Sequence, residues 1–169
     1  MSHPDPPWRR HTLADAEATR RLGRELAGLL APESAIVLLC GDLGAGKTSL
    51  VQGLAAGLGI LEPITSPTFA LAQHYLPSAD GACRGLVHLD LYRLELAAAA
   101  DELFAQEEEE AMARGAVLAV EWPERLSFRP SSAWWVDLQL LPGDDPAAGR
   151  LACLWRPAPA EGGGSGLSR

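Results

Sequence analysis

The chain has 169 residues, 47% of them hydrophobic and 21% charged, with a formal charge of −8 at pH 7. That size and apolar content fit one domain with a substantial core, and the acidic balance argues against direct, non-specific nucleic-acid binding, which depends on Lys and Arg neutralising phosphates. Cys40, Cys83 and Cys153 are odd in number, widely spaced and form no C-x-x-C pair, so the sequence predicts neither a disulfide framework nor a zinc site, but core thiols in a reducing compartment.

In chain order, residues 1–7 carry Pro4, Pro6 and Pro7 and lack the apolar stretch of a signal peptide, and later apolar runs stop short of membrane-spanning length. A cytoplasmic protein with no membrane association is expected. Residues 1–7 and the Gly- and Ser-rich 157–169 are expected to be disordered tails around a single domain over 8–156. Trp8 to Leu13 reads as a short edge strand. A helix then starts near Asp15, with Leu22, Leu26, Leu29 and Leu30 at helical spacing and Arg20, Arg21, Arg24 and Glu25 mostly opposite. The apolar strand Ala35–Cys40 runs into Gly41-Asp42-Leu43-Gly44-Ala45-Gly46-Lys47-Thr48, followed by a helix from Lys47 to about Leu58. This is the phosphate-binding loop G-x-x-x-x-G-K-[ST] in its required place between strand and helix. Ser66-Pro67-Thr68-Phe69 leads into a strand through Tyr75, and a polar loop over 77–84 follows. Leu86–Tyr92 alternates, which would place His88, Asp90 and Tyr92 on one side if extended throughout.

The stretch Glu95–Arg114 favours helix, with the run Glu107–Glu110 read as a solvated face or cap. Ala116–Val120 is a continuous apolar run, a strand buried on both faces, ending at Glu121-Trp122-Pro123. Trp134–Leu140 and Leu151–Trp155 flank Pro142-Gly143-Asp144-Asp145-Pro146 and read as an antiparallel hairpin, with Trp134, Trp135 and Trp155 as core or sheet-face residues. The alternation predicts an α/β fold: a three-layer P-loop nucleotide-binding domain with a mixed, partly parallel sheet and a C-terminal antiparallel hairpin. Strand order is not legible.

The expected nucleotide contacts are the loop, Gly41 through Thr48, with Ser49 in the first helical turn. Its glycines let successive N–H groups point at one phosphate, and the helix end adds about half a positive charge. Lys47 would reach the β- and γ-phosphates and Thr48 would offer a hydroxyl to Mg²⁺, a cation that prefers hard oxygen ligands. Glu121 stands where an acid at the end of a buried strand meets Mg²⁺, or else is a simple strand-ending acid. Asp90 could hold a metal-bound water or orient the attacking one, or could pair with Arg93 in a turn. The Thr68 hydroxyl could sense the nucleotide, or Pro67 could fix a turn and Thr68 start the strand. Trp122 could gate the site or stack on a ligand, or pack in the core. His88 reads as a packed strand histidine.

The set GDLGAGKTSL, SPTF, HLDLYRL, DEL and VEWPERL, in this order over roughly residues 12–155, resembles the TsaE family, formerly YjeE. The resemblance implies a small ATPase required for threonylcarbamoyladenosine in tRNAs that read ANN codons. It implies work on the TsaB and TsaD proteins, with TsaD performing the transfer, tRNA met only through that complex, and ATP and Mg²⁺ as the only cofactors. It gives Lys47 to the phosphates, Thr48 and Glu121 to Mg²⁺, functional weight to Asp90 and Trp122, and a nucleotide contact to Arg150 through Gly149-Arg150 in the last hairpin. The residues expected to carry the chemistry are thus Lys47, Asp90 and Glu121. One departure is Phe104-Ala105 after Asp101-Glu102-Leu103, where the family commonly has a Gly. The alternative class is a small-molecule P-loop kinase, although no arginine-rich lid segment follows Glu121. A GTP switch would need an N-K-x-D loop, which the sequence lacks.

Overall fold

The computed structural model describes residues 3–32, 35–142 and 149–158. Strand β1 (Arg9–Leu13) precedes helix α1 (Ala16–Ala27), and β2 (Ile36–Cys40) precedes α2 (Lys47–Gly57). Next come β3 (Ala72–Tyr75), β4 (Leu86–Asp90), α3 (Ala97–Arg114) and β5 (Val117–Glu121), and then β6 (Ala133–Leu140) and β7 (Arg150–Trp155). Helix α1 begins where Asp15 Oδ1 accepts from Ala18 N at 2.8 Å, satisfying one of the free amides of the first turn.

The seven strands of the described residues form one sheet in the order β1-β7-β6-β2-β5-β4-β3. Strands β6, β2, β5 and β4 run parallel at its centre, while β7 and β1 on one side and β3 on the other are antiparallel. The alternation of each strand feeds two cores. Leu22 and Leu26 of α1 and Leu50 and Leu54 of α2 pack on Val37, Leu39, Val117 and Ala119. Ala100, Phe104 and Ala111 of α3 pack on Leu38, Val87, Leu118 and Val120 of the opposite face. The three-layer α/β expectation holds, and so does the antiparallel β6–β7 pair, with Leu140 opposite Arg150. The turn expected at 142–146 lies, apart from Pro142, outside the described residues.

Two consequences of this topology place the site. The loop leaves the C-terminal end of β2, whose neighbours β5 and β6 are both parallel to it, so it sits above the middle of the sheet. Register then sets Glu121 beside Leu39 and Asp90 beside Glu121, aligning three strand ends at one edge.

Several local expectations change. Strand β4 stops at Asp90 because the Asp90 carboxylate turns the chain, Oδ1 accepting from Tyr92 N at 2.9 Å, so Tyr92 is not a strand residue. Glu107–Glu110 lies inside α3 rather than capping it, and Glu107 is buried against the edge strand, its Oε2 2.6 Å from His74 Nε2. Helix α3 is unbroken through Phe104, whose ring is buried under the sheet and meets Phe128 edge-on. Trp134 and Trp135 are buried as expected, on opposite faces. Trp155 is half-buried: His3 stacks on it at 4.8 Å, and its Nε1 donates to Asp5 O at 2.7 Å. Among the described residues no helix is long and apolar enough to cross a membrane.

Candidate functional site

The loop is shaped by backbone constraints that only glycine meets. At Gly41 φ is +136°, and a Cβ would lie 2.4 Å from Leu138 O. Gly46 caps α2 at φ 105°, and among the described residues no side chain makes a capping hydrogen bond to the helix start, whose first amides have no partner within the helix. Lys47 is buried and folded back over the loop. Its Nζ donates to Gly41 O and, at 2.9 Å, to Asp42 O, and lies 4.2 Å from the centre of the Trp122 ring. Burial pushes this ammonium below its ordinary pKa, while the carboxylates of Glu121, Glu124, Asp90 and Asp42 pull it back up. The cation thus occupies an acidic pocket that it only partly neutralises.

The acids come from the neighbouring strand ends. Glu121 Oε1 accepts from Thr48 Oγ1 at 3.1 Å and from His88 Nε2 at 2.9 Å. Asp90 is buried; its Oδ2 accepts from Thr68 Oγ1 at 3.1 Å and Ser66 Oγ at 3.4 Å, and those two hydroxyls lie 2.7 Å apart. The segment after the acid is strained. Trp122 has φ 59°, a left-handed conformation that bulky residues avoid, and its ring tilts against Tyr92 at 4.9 Å. Leu71, which follows the Thr68 loop, is the other non-glycine with positive φ among the described residues.

These pieces enclose a cavity of about 360 Å³. Of the residues expected from the sequence, Leu43, Gly44, Gly46, Lys47, Thr48 and Ser49 line it from the loop, and Thr68, Asp90, Glu121 and Trp122 from the other elements. Gly41 and Asp42 lie behind, holding Lys47, and Ala45 is fully buried beneath. Arg150 is not on this cavity. It braces the loop from the far side, Nε donating to Ala45 O and Nη2 to Gly44 O, each at 3.2 Å, beside a second cavity of about 300 Å³ that also touches Asp15 and Thr19. The pairing of Asp90 with Arg93 is not what forms, since Arg93 sits 4.1 Å over the exposed Phe69 ring.

Sequence reasoning gave no site role to Ser66 or Tyr92, and it read His88 as a packed strand histidine, which it is, without its bond to Glu121. The alternation of Leu86–Asp90 already set His88 beside Asp90, but its reach to Glu121 depends on the parallel β4–β5 register, which has no local signal. Donor chemistry fits a hard cation: a hydroxyl and a carboxylate converge, and among the described residues no cluster of three or more His, Cys, Asp or Glu side chains could hold a metal unaided. Mg²⁺ needs no such cage, because it takes one or two protein oxygens and completes its shell with phosphate and water.

A three-layer sheet with a phosphate loop after its central strand, and acids at the adjoining strand ends, defines a P-loop nucleotide-binding domain. The sequence model of the family described as "Threonylcarbamoyl adenosine biosynthesis protein TsaE" matches residues 13–144, and the chain belongs to the TsaE family. It is 44% identical over 133 residues to the tRNA threonylcarbamoyladenosine biosynthesis protein TsaE of a Nostoc species, covering 79% of this chain and 78% of the relative. It is 48% identical over 122 residues to the TsaE protein of a Synechocystis species, covering 70% and 73%. The crystal structure of Bacillus subtilis YdiB superposes with a TM-score of 0.65 over 93% of this chain and 90% of that one; at 23% identity it shows the shared fold.

Proposed function

We propose that this protein is a Mg²⁺-dependent ATPase serving threonylcarbamoyladenosine modification of tRNAs that read ANN codons. It acts on the TsaB–TsaD pair rather than transferring the threonylcarbamoyl group itself. The observation that carries this reading is the meeting of Lys47, Thr48 and Glu121 on one cavity at the open start of α2. The amides of that helix start would take the phosphates, with Lys47 exchanging its carbonyl partners for phosphate oxygens. Thr48 and Glu121 would hold Mg²⁺, which supplies charge neutralisation on the phosphate oxygens when bound. Asp90, fixed by Thr68 and Ser66, would orient the attacking water, and Trp122 and Thr68 would border the terminal phosphate. Arg150 would contact the nucleotide from the far side of the loop.

Among the described residues no arginine lines the larger cavity, and phosphoryl transfer needs compensated charge and a positioned water, so the protein alone should be slow. The same lack weighs against a small-molecule kinase. An acidic chain that meets tRNA only through its partners fits the charge of −8.

The test is ATP hydrolysis measured alone and with TsaB–TsaD, at saturating ATP across a Mg²⁺ titration, for wild type, Thr48→Ala and Glu121→Ala. Slow turnover that rises with the partners is expected, with both variants losing Mg²⁺-dependent hydrolysis while still binding nucleotide in EDTA. Fast turnover indifferent to the partners, or a normal Mg²⁺ titration in both variants, would overturn the reading.

A further inference from the structure

His88 has no role in the chemistry just proposed, yet it is wholly buried within two residues of Asp90. An imidazole in a sheet core carries two polar nitrogens that cost free energy unless partnered. Its register partner on β5 is Ala119, a methyl group, which leaves the ring room to lean diagonally toward Glu121, two residues further along. Nε2 lies 2.9 Å from Glu121 Oε1, while Nδ1 is buried with no hydrogen-bond partner among the described residues. A carboxylate oxygen accepts, so in this hydrogen bond the ring proton belongs on Nε2 and Nδ1 is the bare acceptor.

Of the two groups that bond Glu121 Oε1, Thr48 lines the cavity, where a cation would compete for its hydroxyl. His88 does not line it. Once Thr48 turns to a cation, the His88 bond is the one left holding the carboxylate in its rotamer. We propose that His88 is a positioning residue: its Nε2–H fixes the Glu121 carboxylate for Mg²⁺, as outer-shell partners do at other metal sites. This rests on the reading of Glu121 as a Mg²⁺-side acid.

The experiment is calorimetric ADP binding with Mg²⁺ and in EDTA, the ratio of the two affinities giving the Mg²⁺ coupling without turnover. His88→Leu should lower that coupling about tenfold or more while leaving the EDTA affinity unchanged. His88→Gln, whose amide nitrogen reaches about as far as Nε2, should restore it. Nitrogen NMR of the wild-type ring, free of nucleotide and metal, should show the Nε2-protonated tautomer. Should His88→Leu fail to fold, His88→Asn, whose amide stops short of Glu121, makes the same comparison with His88→Gln. Wild-type coupling in His88→Leu, or an Nδ1-protonated ring, overturns the positioning role. Glu121→Ala is measured alongside. If it loses the coupling and His88→Leu does not, only the role of His88 falls; if it keeps the coupling, the Mg²⁺ assignment of Glu121 falls first and that of His88 with it.

Discussion

Lys47 pays for its burial with two backbone carbonyls and an aromatic face, all weaker partners than a polyphosphate. Lys47→Ala should therefore weaken ATP binding about tenfold to a hundredfold, from a charge-assisted contact of roughly 1.5–3 kcal/mol. Calorimetry on the folded variant measures this, and unchanged affinity would remove Lys47 from the phosphate site. Cysteine chemistry gives a second residue-scale expectation. Burial, helped by the nearby Glu124 and Asp137 carboxylates, drives the Cys40 thiol far above its ordinary pKa, and burial also raises Cys153. A thiol kept protonated is a poor nucleophile. In native protein a thiol reagent should label Cys83 first, and label Cys40 only after denaturant is added, as mass spectrometry of the digested adducts would report. Single residues were legible to different depths. Lys47, Thr48 and Glu121 announce themselves by motif, whereas the burial of Glu107 against His74 does not, because the partner lies 33 residues away on an edge strand.

At the scale of elements, the site depends on how closely α2 can approach α1. A Cβ at Gly53 would lie 1.9 Å from Arg20 O, and one at Gly23 2.3 Å from Leu50 O, so the helices touch backbone to backbone. Gly53→Ala would gain up to about 1 kcal/mol of helix propensity. The overlap is with a main-chain carbonyl that no rotamer change relieves, and overpacking costs about 1–3 kcal/mol or more, so destabilisation should win. Gly28→Ala is the opposite case. It caps α1 at φ −71° with its new Cβ 3.4 Å from the nearest atom, and should be neutral or stabilising by up to about 1 kcal/mol. The melting temperature should fall in Gly53→Ala and hold or rise in Gly28→Ala, and a Gly53→Ala protein melting at or above wild type would refute the close contact. Element type and place were readable from local signals of different kinds: helical spacing in α1, the loop motif before α2, and the unbroken apolar run of β5. The end of β4 was not, since a side chain of the strand itself turns the chain at Asp90.

On the scale of the whole molecule, the strained Trp122 and the Thr68 loop, tied to Asp90 by hydroxyls, meet across one cavity. A terminal phosphate arriving there would change the contacts of both segments, and such local ordering is a recurrent basis for nucleotide switches. Affinity for TsaB–TsaD should therefore differ between ADP and a non-hydrolysable ATP analogue. A hundredfold difference needs about 2.7 kcal/mol, within reach of several loop contacts but not of one hydroxyl. Thr68→Ala should shrink the difference and Trp122→Ala should shrink it further, as read by titration of the labelled pair. Equal affinity in both nucleotide states would deny ATP a switching role. The sequence offered Thr68 as a sensor and Trp122 as a gate beside their packing readings, but not that the two segments meet across one cavity, because strand order decides which loops face each other.

The same strand order has a consequence in time. Strand β1 is made first, yet its partner is β7, with Leu13 opposite Arg150. At ~5–20 residues per second, a ribosome needs ~7–30 s to add the intervening stretch. Until then the opening strand has no neighbour to bond, while β2, β4 and β5 can already assemble around the loop and α2. Synthesis should thus pass through a stage in which the phosphate loop is built but its brace is missing, since Arg150 arrives with β7. Nascent chains stalled before and after β7 emerges should differ in nucleotide binding, and a protease should cut near Arg9 and Arg10 only in the shorter ones.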